Sequence, residues 1–326
     1  MKKRLTTLLL AGIAGSAMVM GASAADITAD EILKNAAAQS AAVNEINGDV
    51  LMKADGALTM DDQAITLDAD ANVQVSAVMD PLNVQSIADV VLNLDVLGDQ
   101  QNTETHAEFY VVPDENGELV SYSGTSDGET TAWTKSALGK EFTEQLKQII
   151  GLGQTAPELP IEFNVSEDLA DVDGIQCYEL TSSLTFEDVM NVYNAYLEAY
   201  KDELPEEVLS QLPDEESLAS IGSMLGGLII NVTIDVANDN YEIEHLRIGT
   251  DGSDFSSLGM ILGLLMGAGS DSGEMPAVSL DVNDLYIECF YDYSTPVEVV
   301  VPDEAIANAV DAGDLDLSEL AAESGF

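Results

Sequence analysis

The sequence predicts an α+β domain in which a strongly curved antiparallel half-barrel sheet is covered by helices. Three observations lead there. The stretch "ITLDADANVQVSAVMD", Ile65 to Asp80, alternates: Ile65, Leu67, Ala69, Ala71, Val73, Val75, Ala77 and Met79 fall on one side. The residues between them are polar except for Val78. Such alternation belongs to a strand with one buried face. At ~3.3 Å per residue this strand spans about 50 Å, and long strands must twist and curl. Finally, helical periodicity recurs on both sides of the strands, and a one-sided sheet needs a cover.

The chain opens with Lys2, Lys3 and Arg4, an apolar run from Leu5 to Ala17, and Ala22-Ser23-Ala24, the pattern of a signal peptide over residues 1–24. No lipobox cysteine follows and no LPxTG motif precedes Phe326. The expected location is therefore secreted, extracellular or in the cell envelope. Thr28 caps a helix running to Val43, with Glu31 completing a capping box. Strands are expected from Val50 to Met60 and through the quoted stretch. After Asp80-Pro81-Leu82-Asn83 comes a run that places Val84, Ala88, Val90, Leu92, Leu94 and Val96 on one side. His106 to Val112 and Leu119 to Gly124 form a hairpin about Asp114-Glu115-Asn116-Gly117.

Helices are expected over Lys140 to Ile150, Phe186 to Tyr200, Glu206 to Leu212 and Glu215 to Leu225. Two segments rich in Gly, Leu and Met, Ile221 to Ile230 and Leu258 to Gly269, are too short to span a bilayer. They read as packing against the sheet or as an adaptable apolar lid. Strands return at Gly174 to Leu184, Asn231 to Ala237, Tyr241 to Gly249, Ser279 to Tyr293 and Val297 to Val301. No linker divides residues 25–302, which make one domain, and residues 303–326 are an acidic tail.

The composition excludes several functions. There are 60 acidic and 10 basic residues, a formal charge of −50, against nucleic-acid binding and adsorption to anionic lipid. The two histidines, His106 and His245, read as surface strand residues rather than catalysts. No nucleophile elbow, HExxH, P-loop or dinucleotide fingerprint occurs. Asp68-Ala69-Asp70-Ala71-Asn72 lacks the glycine of a calcium loop. No enzyme, metal or cofactor is expected. Trp133 reads as a half-buried aromatic at a strand end. Cys177 and Cys289 are either a disulfide or two buried thiols.

The segments "ADEILKNAAAQSAAVNEINGDVLMKADGAL", "TAWTKSAL", "VDGIQCYELTSSL" and "LYIECFYDYSTPVEVVVPDEAI" resemble the exported LolA-like and LppX-like proteins of bacteria. The similarity is to a poorly characterised branch in Gram-positive envelopes, over about Ala29 to Ile306, with Tyr291 to Val299 the most distinctive stretch. The resemblance implies a half-barrel with an apolar cavity beneath helices, used in the best-known members for lipids or lipoprotein acyl chains. Absence of the lipobox and extreme acidity depart from the pattern.

The expected function is accordingly a non-enzymatic carrier of an apolar ligand, a lipid or acyl chain. Its groove would be lined by Ile65, Leu67, Ala69, Ala71, Val73, Val75, Ala77, Val90, Leu92, Leu94, Met260 and Leu264. The alternative is an envelope interaction module with a self-filled core and an unidentified protein partner. Neither reading calls for nucleic acid or stable membrane insertion.

Overall fold

The protein is described from a computed structural model covering residues 27–60, 63–126, 131–139, 160–200, 222, 225–268 and 277–315. The expected signal peptide, the helices at 140–150 and 206–212 and nearly all of that at 215–225 lie outside these residues.

Helix α1, Ala29–Ser40, starts where the sequence places it. The Thr28 hydroxyl accepts from the Glu31 amide, and the Glu31 carboxylate accepts from the Thr28 amide. This reciprocal pair satisfies two of the donors that every helix start leaves open. Ala29, Ile32, Leu33 and Ala36, spaced on one helical face, are buried.

The strands then run β1 (Glu45–Met60), β2 (Gln63–Met79), β3 (Leu82–Val96), β4 (Asp99–Pro113), β5 (Leu119–Ser126), β6 (Thr131–Leu138), β7 (Asn164–Val165), β8 (Ala170–Val172) and β9 (Ile175–Thr185). Helix α2 (Phe186–Tyr200) follows, then β10 (Ile229–Ala237), β11 (Ile243–Gly249), helix α3 (Ser256–Ala268), β12 (Val278–Asp292), helix α4 (Asp303–Asn308) and β13 (Val310–Leu315). Consecutive strands β1 to β6 pair as a meander, and β12 closes onto the other side of β1. The result is one 13-stranded open sheet in the order β13-β6-β5-β4-β3-β2-β1-β12-β11-β10-β9-β7, with β8 also on β9. Open twisted sheets seldom exceed about ten strands without curling.

Several expectations need correction. The sheet is antiparallel except where β13 runs parallel to β6. Among the described helices the cover is light: α1 packs broadly on the apolar face, and α2 adds Val189 and Val192 at its core. Strand β4 begins at Asp99 rather than His106, because its first turns are polar on both sides. Val297 to Val301 is not a strand; it lies as an irregular segment on the opposite face. There Val299, Val301 and Ala305 cover Tyr110, Val120, Tyr122 and a fully enclosed Trp133. The acidic segment beginning at 303 thus holds α4 and β13, both docked to the sheet.

The register gives the sheet two chemically distinct faces. Ala88, Val73, Val50, Cys289, Leu246, Ile234 and Leu180 face one another from β3 to β9. With α1 and residues Ile161 and Phe163 they form the main core. We call this the inner face.

Candidate functional site

Every second residue of β1, β2, β3 and β12 points to the inner face, and none of those residues is charged. The charges of these strands all lie outside. Lys53 bridges Asp68 and Asp70 at 3.1 and 3.0 Å, and this raises its pKa. Each histidine is held between two carboxylates from its own or neighbouring strands. His106 reaches Asp89 at 2.7 Å and Glu108 at 3.2 Å. His245 reaches Asp235 at 2.7 Å and Glu288 at 3.0 Å and stacks on Phe290.

The Asp89 hydrogen bond is the largest influence on His106 and raises its pKa against partial desolvation. For His245 burial is the largest influence and acts downward, yet the bonds to Asp235 and Glu288 outweigh it. With acceptors at both ring nitrogens, each imidazole is best satisfied as a double donor, the protonated form. The histidines are therefore clasps on the outer face rather than isolated polar residues. Sequence reading missed this, because cross-strand neighbours such as Asp235 and His245 are fixed only by register.

The expected groove residues divide by depth. Leu67 faces Leu94, Ala69 faces Leu92 and Ala71 faces Val90, while β1 contributes Ala54 and Met52 opposite Ala69 and Ala71. At the α1 end the face is filled. Val73 and Ala77 are only 6% exposed and Val75 packs on the main core, so these three belong to the packed part of the face. Away from α1 the same rows open. Leu67 is 39% exposed, Leu92 37% and Leu285 of β12 43%. Leu285 faces Ala54 of β1 and was missed, since nothing local links positions 231 residues apart. Ile65, between Leu58 and Val96, and Leu94, between Leu67 and Gln101, are half-buried.

Helix α3 seats on the start of β12 through Gly259, where a Cβ would fall 3.0 Å from the Leu280 nitrogen. Met260, next along it, is 64% exposed, and the side chain of Leu264 lies outside the described residues.

The cysteines do not bridge. Cys177 on β9 and Cys289 on β12 are separated by β10 and β11. At ~4.8 Å per strand their Cα atoms stand about 14 Å apart or more, twice the reach of a disulfide. Burial pushes the Cys177 thiol up to about 12 and raises Cys289 as well. No group of three or more His, Cys, Asp or Glu among the described residues is arranged to hold a metal ion.

Two shallow polar clefts also occur, one of about 490 Å³ lined by Ile27, Glu31, Lys34, Asn35 and Tyr241, the other beside Asn164 and Ser182. Neither touches the apolar rows. No described helix is long and apolar enough to cross a membrane.

No family model matches the sequence, and no curated protein matches it. Among solved structures the chain is similar in fold to the lipoprotein LppX of Mycobacterium tuberculosis, at 11% identity and a TM-score of 0.34, over 82% of this chain and 96% of the other. It is similar also to LprF from Mycobacterium bovis, at 10% identity and a TM-score of 0.35, over 83% and 95%. A third is a DUF1329 family protein from Desulfovibrio piger, at 9% identity and a TM-score of 0.20, over 83% and 93%. These are likenesses in the course of the chain.

Proposed function

We propose that this chain is an exported, non-enzymatic protein that binds an apolar ligand, a lipid or acyl chain, on the inner face of its sheet. One observation supports the reading above others. The apolar rows continue past the α1-covered core, and three leucines there, on β2, β3 and, beyond β1, β12, keep more than a third of their surface exposed. Isolated exposed leucines are ordinary, whereas leucines aligned on one face beside a buried core are not. Each methylene buried there contributes about 0.8 kcal/mol, so a chain of about 12 methylenes gains roughly 10 kcal/mol before the entropy of association. Small side chains at Ala54, Ala69 and Ala71 leave depth for it. Binding of this kind needs no polar catalytic constellation.

The test is native mass spectrometry of the exported protein with extraction of bound lipid, for the parent chain and Ala69→Trp. Ala69 lies between Ala54 and Leu92, clear of the residues packed on α1, so the indole fills the trough without entering the core. Acyl lipid on the parent and its loss from the variant, at equal thermal stability, is the expected result. A parent that binds no acyl lipid from vesicles or detergent would leave the interaction-module reading, with a face filled by the chain itself.

A further inference from the structure

The proposed groove also carries information about the ligand's polar end. Three features of the described residues bear on it, and the inference rests on the groove reading above.

The first is the absence of cations from the inner face. Lys53, Lys135 and Arg247 all sit on the outer face of their strands, each already engaged. Lys53 holds two aspartates, Lys135 lies 5.5 Å from the centre of the Tyr122 ring, and Arg247 pairs with Asp251 at 2.7 Å. Lys34 belongs to α1 and lines the separate cleft. A carboxylate or phosphate entering the trough meets no positive partner there among the described residues.

The second is the field. The chain carries −50, and Asp99, at the start of β4, falls on the inner face opposite Val96. A charge imbalance of this size sets up a surface potential of several kT, which repels anions.

The third is what borders the apolar rows. On β4, the neighbour of β3, the inner-face positions opposite Leu94, Leu92 and Val90 are Gln101, Thr103 and Thr105. They form a strip of uncharged amide and hydroxyl groups along the exposed end of the trough. From Thr103 across Leu92, Ala69 and Ala54 to Leu285 the row crosses four strand spacings, about 19 Å.

We infer that the trough selects acyl lipids whose head is uncharged and bears hydroxyl or ester groups, of the diacylglycerol kind, over free fatty acids and anionic phospholipids. The acyl chains lie on Leu67, Leu92 and Leu285. The ester and hydroxyl oxygens lie toward Thr103, Thr105 and Gln101, which donate to the esters and accept from a free hydroxyl. Selectivity comes as much from rejection as from attraction. An anionic head would lose water, gain no cation among the described residues and enter a repulsive potential.

The experiment uses the full chain, delipidated, with dioleoylglycerol, oleate and dioleoylphosphatidylglycerol as probes in equilibrium binding at low salt. Dioleoylglycerol should bind at least about tenfold more tightly than either anion, with the margin shrinking in high salt as the field is screened. Thr103→Val with Thr105→Val should weaken dioleoylglycerol several-fold while leaving octadecane binding unchanged. Equal or tighter binding of oleate or the phospholipid overturns this inference and leaves the groove itself standing. A double variant that weakens octadecane and dioleoylglycerol alike overturns the role of the hydroxyl strip. Binding of none of the probes overturns the inference together with the groove.

Discussion

Glu244 gives the most decisive test of how this sheet is held together. It sits in the bulge where β10 and β11 slip register between Asp235 and Val236, and it is 6% exposed. Burial raises its pKa from an ordinary value of 4.5 to about 7, with Glu242, Asp292 and Asp239 adding repulsion. The unfolded chain therefore ionises this group before the folded one does. Below about pH 4.5 both states carry the proton and the group is neutral in effect. Between about pH 4.5 and 7 the unfolded state alone loses it, so stability falls as pH rises, and above about pH 7 the whole penalty is present.

At ~1.4 kcal/mol per pH unit, the difference between 4.5 and about 7 amounts to about 3 kcal/mol. Glu244→Gln matches the protonated acid in shape and removes the penalty. Urea unfolding at several pH values should show a variant equal to the parent near about pH 4 and more stable by up to about 3 kcal/mol near about pH 8. A constant difference at all pH values, or a variant less stable at high pH, would refute the placement of this carboxyl among other acids in a dry bulge.

The remaining predictions concern other parts of the sheet. His245→Gln should cost about 2 kcal/mol at acid pH, since it strips a charged donor from the buried Asp235. The His245 pKa is raised, so its contribution is fully present below about pH 6.5 and lost as pH rises through the folded value; the parent–variant gap in urea melts should close as pH rises through that range. Gly124→Ala should destabilise by about 1–3 kcal/mol in the same assay, because the new methyl would stand 2.8 Å from the Trp133 ring. Indole fluorescence should report the shift. Both cysteines should resist a water-soluble disulfide reagent in the native protein near neutral pH and react on unfolding, and mass spectrometry should find two free thiols.

Much of the sheet was legible because its physics is local. Alternation from Ile65 to Met79 is a property of the strand alone, and it placed the apolar residues of that stretch on one face, Val78 excepted, as the register confirms. The helix cap at Thr28 and Glu31 is likewise a matter of four residues. The errors fall where local patterning is silent. The start of β4 was missed because Gln101, Thr103 and Thr105 are polar on the face where apolar residues were sought. Val297 to Val301 alternates like a strand, yet Val299 and Val301 dock on the outer face beside Trp133 and the segment forms no ladder.

The sequence by itself determined that charge and oil would be segregated, since strict alternation forces acids such as Asp68 and Asp70 away from Leu67 and Ala69. Tertiary structure decided how much of the oily face is filled. Whether Val73 is core and Leu67 is exposed depends on where α1 lands, and that depends on contacts with strands as distant as β9 and β12. Alternation is fixed along one strand, whereas cover is supplied from elsewhere in the chain, so the position of the opening is a property of the assembled sheet.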